Sequence, residues 1–520
     1  MALIYFDSNV CIGKHGPKHP RELWKTEDIL TSMDRAGISG ALVCHGIAKD
    51  GNPVLGNNLL AQELKKYPRF YGCYIIAPGH TGSFLSPEEM IADMKAKNMV
   101  AAKLMHTYSP REEVMGEYYT ALEENHIPLL VENITWQDLG DLLKSHPKLN
   151  VLLQGARWSV FSTVAAYMKT YPNLYTDLSN LQANFAVEIL VKLVGAERIC
   201  VGSGLPAMSP GAARAFIDYA QITPEEKQLI AGGNLARLCG VDLPAPVEVQ
   251  GDEIAQQASR GEPLDVLVFD SHAHFHEDGC NCGAGYSMVD GDLDHMRALS
   301  DRMGVDKYCV APWIGIWTDA EEGNRVAMDM RNRDERVYPY ILINPTYGTD
   351  VQKEAHHYHV ELKAPGMKLF YSRYALRYND PVFDPWYKIG EENRLYALMD
   401  NCGYPGYVND MDEVAGKHPE ISFFLDHAAQ SFPMVDSYMP LAKKYDNVYL
   451  QLTYTSVPEG MLEYLCEKGL AHKTMYGTDA PMRDPRPQLG WVAYANIPLE
   501  DKKLILGGNM QRVADRCFTK

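Results

Sequence analysis

Three histidines alternate in the segment FDSHAHFH, residues 269–276, which follows a run of apolar residues. Alternate side chains of a β-strand point to the same face, so His272 and His274 are predicted to converge on one point. Two imidazole nitrogens at this spacing make half of a metal site, although a lone His-x-His pair also occurs without a metal. The segment predicts metal chemistry if further ligands lie nearby.

Two more candidate ligands stand at the ends of predicted strands. His427 ends ISFFLDH, and Asp479 ends TMYGTD. Three histidines and one aspartate, drawn from strands far apart in the sequence, are typical of a divalent-cation site. Imidazole and carboxylate ligands together favour zinc. We therefore expect zinc bound by His272, His274, His427 and Asp479.

The second half of the chain alternates strands and helices. The predicted buried strands are VLVFDSHAHF, KYCVAPW, VYPYILINP, GMKLFY, LYALMDN, ISFFLDHAA, NVYLQLTY and KTMYGTDA. Amphipathic stretches such as DLDHMRALSDRMGV and PVFDPWYKIGEENR separate them. Eight strand–helix units in about 250 residues predict an α/β fold of the (β/α)8 TIM-barrel type, whose active sites follow the C-terminal ends of the strands. A doubly wound sheet is the alternative.

The first half of the chain repeats the second half in the same order. FDSNVCIG matches FDSHAHFH, AAKLMHTYS matches GMKLFYSRY, ICVGSGLPAM matches TMYGTDAPM, and AGGNLARLCG matches LGGNMQRVAD. The stretch 244–265 is rich in polar, Pro and Gly residues and is predicted to be a linker. We therefore expect two tandem (β/α)8 domains, residues 1–250 and residues 251–520.

The first copy lacks the predicted ligands. At the four matching positions it has Asn9, Cys11, Gly155 and Gly204. The residues that persist are Gly232, Gly233, Asn234 and Arg237, opposite Gly507, Gly508, Asn509 and Arg512. Glycine permits a tight turn and asparagine can cap the following helix, so these shared residues are predicted to build the last turn of a barrel. We expect residues 1–250 to be a pseudo-enzyme barrel that packs on the second barrel and shapes its pocket.

Several segments resemble the amidohydrolase superfamily, in particular its short-barrel, metal-dependent branch. They are HAH after the first strand, GMKLFY, FLDHAA, and YGTDAP followed by LGGNMQR. The resemblance implies a TIM barrel and hydroxide attack on an amide, ester or lactone carbonyl, although some relatives hydrate or decarboxylate carboxylic acids. It also implies that His272 and His274 bind the metal. Asp479 would bind it and shuttle a proton, and His427 would ligate or polarise water and substrate.

Strand five departs from the pattern of this family, which commonly has a histidine there. YALMDN supplies Asp400, and the first copy has Glu132. An unpaired buried carboxylate is costly, so Asp400 is predicted to act in the pocket as an oxygen ligand or substrate contact, with a structural role as the alternative. Lys368 stands where some relatives modify a lysine to bridge two metals, but Lys103 matches it in the copy without ligands. We expect one metal ion and a structural or substrate-binding Lys368.

Three arginines after strands four and eight are candidate substrate contacts: Arg373, Arg377 and Arg483. Each could hold a carboxylate through two hydrogen bonds. The alternative is surface salt bridging to Asp380, Asp384 or Asp484. Trp313 and Trp317 are predicted to line the pocket or to pack in the core. The histidines of KEAHHYHVEL are predicted to be solvated.

Charge and composition exclude several classes of partner. The net charge of −18 and the pI near 5.4 argue against binding to nucleic acid or to anionic membrane surfaces. The sequence has no apolar run of about 18 residues, and its start lacks the pattern of a signal peptide. The 11 cysteines are scattered, which favours reduced thiols and a cytoplasmic location.

These features predict a metal-dependent hydrolase that acts on a small, carboxylate-bearing molecule. A metal-dependent decarboxylase or hydratase on the same scaffold is the alternative. A non-catalytic metal-binding or scaffold protein is the alternative of another class, and the degenerate first copy encourages it. The expected partners are the small substrate and the chain's own second barrel, and homo-oligomerisation stays open.

Overall fold

The computed structural model describes residues 3–16, 19–454 and 457–519. The chain divides into two compact units, Met1–Gly251 and Asp252–Lys520. Within the described ranges, each unit contains one sheet of eight parallel strands arranged in sequence order. The prediction of two tandem (β/α)8 barrels is confirmed, and the doubly wound alternative is wrong because the strand order never reverses.

The first unit alternates strands with helices along its whole length. Its strands are β1 (Tyr5–Ile12), β2 (Ile38–His45), β3 (Phe70–Ile76), β4 (Met99–Leu104), β5 (Leu129–Glu132), β6 (Val151–Gln154), β7 (Leu174–Asp177) and β8 (Ile199–Cys200). Its helices are α1 (Thr26–Arg35), α2 (Gly46–Asp50), α3 (Pro53–Leu64), α4 (Pro87–Ala96), α5 (Glu112–Glu124), α6 (Trp136–Ser145), α7 (Phe161–Thr170), α8 (Ala186–Val194), α9 (Pro210–Asp218), α10 (Pro224–Gln228) and α11 (Asn234–Cys239).

The second unit has the same order, with a short antiparallel hairpin, β10 and β11, after its first strand. Its strands are β9 (Phe269–Ala273), β10 (Cys282–Gly283), β11 (Tyr286–Ser287), β12 (Lys307–Val310), β13 (Val337–Leu342), β14 (Gly366–Leu369), β15 (Tyr396–Met399), β16 (Ser422–Leu425), β17 (Val448–Leu452) and β18 (Thr474–Tyr476). Its helices are α12 (Glu253–Ser259), α13 (Leu293–Met303), α14 (Trp313–Trp317), α15 (Ala320–Arg333), α16 (Val351–Ala355), α17 (Tyr371–Tyr374), α18 (Asp384–Asn393), α19 (Tyr407–Lys417), α20 (Phe432–Lys444), α21 (Met461–Glu467), α22 (Pro485–Ala493), α23 (Leu499–Lys503) and α24 (Asn509–Arg516). None of the described helices has the length and apolarity needed to cross a bilayer.

Local sequence explains where these helices begin and end. The α13 helix starts at Asp292, whose side chain accepts hydrogen bonds from the backbone N–H groups of Asp294 and His295. It ends at Gly304, which has φ +79° and adopts the left-handed conformation that closes a helix. Its buried residues include Leu293, Met296, Leu299 and Met303, which recur at helical spacing. The predicted amphipathic helix is thus present.

Aromatic side chains fill the core of the second barrel. Tyr396 stacks on Phe424 with ring centroids 5.5 Å apart, and the rings of Tyr340 and Tyr449 meet this pair edge-on. Such pairs contribute about 0.5–1.5 kcal/mol each beyond the area that they bury. The interior is therefore packed, and a binding site must lie at an end of the barrel.

One buried aspartate closes each barrel. Asp270 in β9 accepts hydrogen bonds from the backbone N–H of His272 at 2.9 Å and of Thr478, after β18, at 3.1 Å. Asp7 bonds the matching backbone groups of Asn9 and Ser203 in the first unit, both at 2.9 Å. Burial raises the pKa of Asp270 to about 7 and that of Asp7 to about 6. The repeated Phe-Asp-Ser phrase is therefore explained by barrel closure.

The last turn of each barrel is held by an asparagine, but not as a helix cap. The side-chain amide of Asn509 donates to the carbonyl oxygens of Ala471 and Thr474 at 2.8 and 2.7 Å. Asn234 makes the matching pair of bonds in the first unit. The prediction that these asparagines cap a helix is wrong, because each lies at the start of a helix that continues from a preceding π-helical turn.

The glycines of the same turn allow a close approach to the first strand. A Cβ atom at Gly507 would lie 2.4 Å from the carbonyl oxygen of Leu267, and one at Gly232 would lie 2.6 Å from that of Ile4. Both distances are below van der Waals contact, so only glycine fits at these two positions. The shared residues thus attach the last helix to the barrel.

The histidine-rich segment before β14 is partly buried. His356 and His357 are exposed and pair with Glu361, as expected of solvated residues. His359 is fully buried and accepts a hydrogen bond from the indole N–H of Trp386 at 2.8 Å. The prediction of a solvated side chain is therefore wrong for His359, because α18 covers it.

Replacement of Asn509 by alanine should destabilise the second unit by about 2–3 kcal/mol, because two buried carbonyl groups lose their donor. Chemical denaturation of the full chain measures this loss. Asp515→Ala, at an exposed position of the same helix, is the matched control and should change stability by less than about 0.5 kcal/mol. Equal stabilities of the two variants would contradict the role assigned to Asn509.

Candidate metal centre

Two imidazoles face each other where the first strand of the second barrel ends. His272 lies in β9, and His274 is the first residue after this strand. Their Nε2 atoms are 2.8 Å apart, and the two rings are nearly perpendicular. Both side chains are buried. The two histidines therefore converge, as alternation along a strand predicts.

The other nitrogen of each ring is bound to an oxygen acceptor. His274 Nδ1 lies 2.8 Å from the carbonyl oxygen of Ala311, and His272 Nδ1 lies 3.1 Å from a carboxylate oxygen of Asp426. Because these oxygens accept, each Nδ1 carries the proton and each Nε2 keeps its lone pair. Burial lowers the pKa of His274 to about 3 and that of His272 well below its ordinary value. Both rings are therefore neutral at pH 7, the form that binds metals.

Asp479 lies beside the two imidazoles. One of its carboxylate oxygens is 3.0 Å from His274 Nε2 and 3.6 Å from His272 Nε2. The other oxygen is ion-paired with Arg483, which is also buried. The arginine that the sequence offers as a substrate contact thus holds Asp479 as a carboxylate.

His272, His274 and Asp479, which we call the first ligand group, fit a divalent cation. Their donor atoms all lie within 4.8 Å of one another. Two lone pairs and a carboxylate oxygen at these separations repel each other unless a cation lies among them. Two imidazoles and a carboxylate are also a ligand set that zinc accepts. The residues present therefore suit the metal that the sequence predicts.

His427 lies beside the first ligand group, and its ring stacks on that of His272 with centroids 5.5 Å apart. Its Nδ1 donates to the hydroxyl of Thr453 at 2.7 Å, and that hydroxyl donates to the side-chain oxygen of Gln451 at 2.7 Å. This relay leaves the lone pair on His427 Nε2. Burial lowers the pKa of His427 to about 4, so the ring is neutral. His427 belongs to two groups of donor atoms that lie within 4.8 Å of one another, one with His272 and Asp426 and the other with Asp400 and Cys402.

Lys368 is buried and bound to an aspartate that sequence reasoning missed. Its ammonium lies 2.9 Å from Asp426, the residue that also holds His272 Nδ1. Burial opposes ionisation of Asp426, but the nearby histidines and Lys368 outweigh it and hold the pKa of Asp426 well below its ordinary value. Lys368 therefore stabilises the carboxylate that orients the imidazole of His272. The sequence feature that could have pointed to Asp426 is its position directly before His427 in FLDHAA.

Asp400 is buried, and the nearby ammonium of Lys368 is bound to Asp426 instead of to it. Neither of its carboxylate oxygens has a hydrogen-bond partner of normal geometry among the described residues. Burial and repulsion from Asp426 raise the pKa of Asp400 to about 7. The structure thus places the strand-five acid near His427, and among the described residues no lysine or arginine forms an ion pair with it.

The two arginines that follow strand four, Arg373 and Arg377, have different partners. Arg377 is exposed and pairs with Asp410, which is none of the acids named from the sequence. The guanidinium of Arg373 lies 3.7 Å above the ring of Trp317. Trp317 stacks on Trp313 with centroids 5.0 Å apart, and Trp313 meets His274 edge-on. A wall of flat groups therefore extends from the first ligand group to Arg373, whereas Arg377 is engaged elsewhere.

Comparison with known proteins places this barrel in a family. Residues 269–513 match the sequence model of the family described as amidohydrolase. The second unit belongs to the amidohydrolase family. Its members are metal-dependent enzymes. No curated protein matches the chain.

Solved structures similar to the chain include three decarboxylases. A 5-carboxyvanillate decarboxylase from Sphingomonas paucimobilis is 14% identical, and the alignment covers 46% of this chain and 100% of that one, with a TM-score of 0.38. A dihydroxybenzoic acid decarboxylase from Polaromonas with bound manganese is 13% identical over 46% of this chain and 97% of that one, with a TM-score of 0.38. A 2,6-dihydroxybenzoate decarboxylase from Rhizobium is 15% identical over 46% and 99%, with a TM-score of 0.38.

The first unit lacks the predicted ligands but keeps the backbone conformation at two of the matching positions. His427 and Asp479 have φ values of +51° and +66°, in the left-handed region that favours glycine. The matching Gly155 and Gly204 have φ values of +65° and +74°. A side chain in this region costs roughly 1–2 kcal/mol. The amidohydrolase unit therefore retains strain at two functional positions that the first unit relieves.

The strain can be measured with a matched pair of variants that both remove the imidazole. His427→Gly should be more stable than His427→Ala by about 1 kcal/mol, because only the alanine keeps a Cβ at positive φ. Chemical denaturation of the full chain gives the difference. At exposed His356, whose φ is −63°, the order should reverse by about the same amount. The same order at both positions would contradict the strain argument.

Proposed function

We propose that the second unit is a metal-dependent decarboxylase of a small, planar carboxylic acid. The observation that carries the proposal is the pairing of Asp479 with Arg483 beside the first ligand group. Hydrolysis requires a base that takes a proton from water, and the family resemblance assigns this task to Asp479. A carboxylate that faces a cation on one side and a guanidinium on the other is poorly suited to accept a proton. Decarboxylation starts from an ionised carboxylate and needs no such base; the electron pair of the broken C–C bond takes up a proton that comes from solvent.

The first ligand group would hold the cation, for which zinc is our first choice. When bound, a divalent cation supplies a Lewis acid that draws electron density from the substrate as carbon dioxide leaves. Asp426 and the carbonyl of Ala311 keep the two imidazoles in the ligand tautomer. Lys368 keeps Asp426 ionised, so the orientation of His272 depends on this lysine.

The pocket wall supports a planar, anionic substrate. The stacked rings of Trp313 and Trp317 offer a flat apolar face close to His274. Arg373 ends this wall with an exposed guanidinium, a group that binds carboxylates and aromatic faces. A small aromatic or conjugated acid matches both features.

Hydrolysis of an amide, ester or lactone is the second candidate. It is favoured by His427, a neutral buried imidazole whose Nε2 carries a lone pair and could accept a proton. Its pKa of about 4 makes it a weak base, which is why decarboxylation is preferred.

Carbon dioxide release from a panel of aromatic and conjugated acids tests the proposal, with matching amides, esters and lactones assayed in parallel. The zinc- or manganese-loaded chain should release carbon dioxide. Asp479→Asn should lower the rate at least roughly 100-fold, because the first ligand group loses its charge. Glu500→Gln, at an exposed position, is the control. Release of amine or alcohol without carbon dioxide would identify a hydrolase, and no turnover of any compound would favour a scaffold.

Replacement of Trp317 by leucine tests the predicted wall. We expect KM for a turned-over acid to rise roughly tenfold and kcat to stay within about threefold, because a stacking surface of about 1.4 kcal/mol binds ground state and transition state alike. Steady-state kinetics gives both constants. Trp24→Leu, at an exposed position of the first unit, should change neither. A fall in kcat at unchanged KM would contradict a binding role for Trp317.

A further inference from the structure

Two cysteines lie side by side at the C-terminal end of the first barrel. Cys11 is the second-last residue of β1 and Cys44 the second-last residue of β2, and the two are paired in the register of these parallel strands. Neighbouring strands lie about 4.8 Å apart. Both side chains contact the same hydrophobic cluster, so both point to the same face of the sheet. Cysteines whose Cα atoms are roughly 4.4–6.8 Å apart can form a disulfide, and this pair meets that requirement.

The second barrel has neither thiol. By the register of the first two strands of each barrel, His274 occupies the position of Cys11 and Ala311 that of Cys44. The thiol pair therefore belongs to the unit that lacks the predicted metal ligands. It lies at the C-terminal end of the strands, the end at which barrels of this type carry their active sites.

The two thiols differ in protonation. The thiol of Cys11 donates a hydrogen bond to the sulfur of Cys44, and this bond together with the ammonium groups of Lys103 and Lys49 lowers the pKa of Cys44 to about 6, although burial opposes ionisation. Glu132, which pairs with Lys103 at 2.8 Å, opposes it more weakly. The same hydrogen bond and burial raise the pKa of Cys11 well above its ordinary value. At pH 7 Cys44 is therefore a thiolate and Cys11 a thiol.

The burial of the two sulfur atoms favours a small reactant. Both cysteines are free, Cys44 is 6% exposed, and Cys11 is partly exposed. A hydroperoxide is small enough to reach a sulfur atom at this depth, whereas a bulky disulfide is not. A thiolate next to a second thiol is also the arrangement that reacts with peroxides and then forms a disulfide.

We propose that Cys11 and Cys44 form a peroxide-reactive dithiol site in the first unit. The sulfur of Cys44 attacks the terminal oxygen of the hydroperoxide, the O–O bond breaks, and the leaving oxygen takes a proton from solvent, which leaves a sulfenic acid on Cys44. The sulfur of Cys11 then attacks the sulfur of Cys44, the S–O bond breaks, and water leaves with the proton of the Cys11 thiol. The two cysteines lose two electrons, which reduce the peroxide, and small thiols restore the pair by exchange.

Peroxide treatment of the full chain tests the proposal. The chain is reduced, freed of metal with a chelator, treated with a small excess of hydrogen peroxide at pH 7, alkylated, digested and examined by mass spectrometry. The wild type should yield a peptide pair joined through Cys11 and Cys44, which dithiothreitol separates. This pair should form at least roughly tenfold faster than the exposed Cys280 is oxidised, because a thiol whose pKa is not lowered is only a few per cent thiolate at pH 7.

Three variants separate the two roles from general oxidation. Cys11→Ser should stop at the sulfenic acid on Cys44, which a 1,3-diketone such as dimedone traps. Cys44→Ser should leave Cys11 a thiol, and Cys280→Ser, the control, should form the disulfide as the wild type does. A wild type whose Cys44 stays a thiol while Cys280 is oxidised, or equally fast oxidation of Cys11 in Cys44→Ser, would overturn the proposal. The site uses residues of the first unit alone, so its test is independent of the proposed decarboxylase.

Discussion

The site of the amidohydrolase unit depends on one buried carboxylate that joins the first strand of the barrel to the end of the last. Asp270 accepts from the backbone of His272 and of Thr478, so it fixes the two segments that carry the first ligand group. Main-chain N–H groups make these two bonds, so the bonds do not require the imidazole of His272. Asp7 closes the first barrel in the same way. One copy could therefore lose its ligands without losing its fold.

Strand periodicity and strand order allowed much of the site to be predicted. The alternation of His272 and His274 and the position of Asp479 at a strand end place these residues together in any barrel of this order. Contacts between side chains of elements far apart in the sequence could not be predicted. The burial of His359 depends on Trp386, which lies 27 residues away, and the role of Asn509 depends on a π-helical turn that no local pattern signals. Ion pairs could not be predicted from the sequence either, because they depend on side-chain rotamers and on which of several acids a lysine reaches.

The two barrels differ in which strand carries the acid behind the site. In the first unit β6 ends in Gln154 and β7 ends in Asp177, whereas the second unit has Asp426 after β16 and Gln451 in β17. Asp177 accepts from the amide of Asn9, the hydroxyl of Ser179 and a backbone N–H, which are all neutral donors, and burial raises its pKa to about 6. Asp426 instead faces His272 and Lys368, and its pKa is held well below its ordinary value. The acid behind the site thus has neutral partners on strand seven of the first unit and charged partners on strand six of the second unit.

This difference has a consequence for the lysine on strand four. Its ammonium can neutralise one buried carboxylate, and in the first unit Lys103 neutralises Glu132 on strand five. In the second unit an acid lies on strand six, and Lys368 pairs with this Asp426 and not with Asp400 on strand five. Burial and repulsion from Asp426 therefore raise the pKa of Asp400 to about 7, because the lysine neutralises the acid on strand six instead.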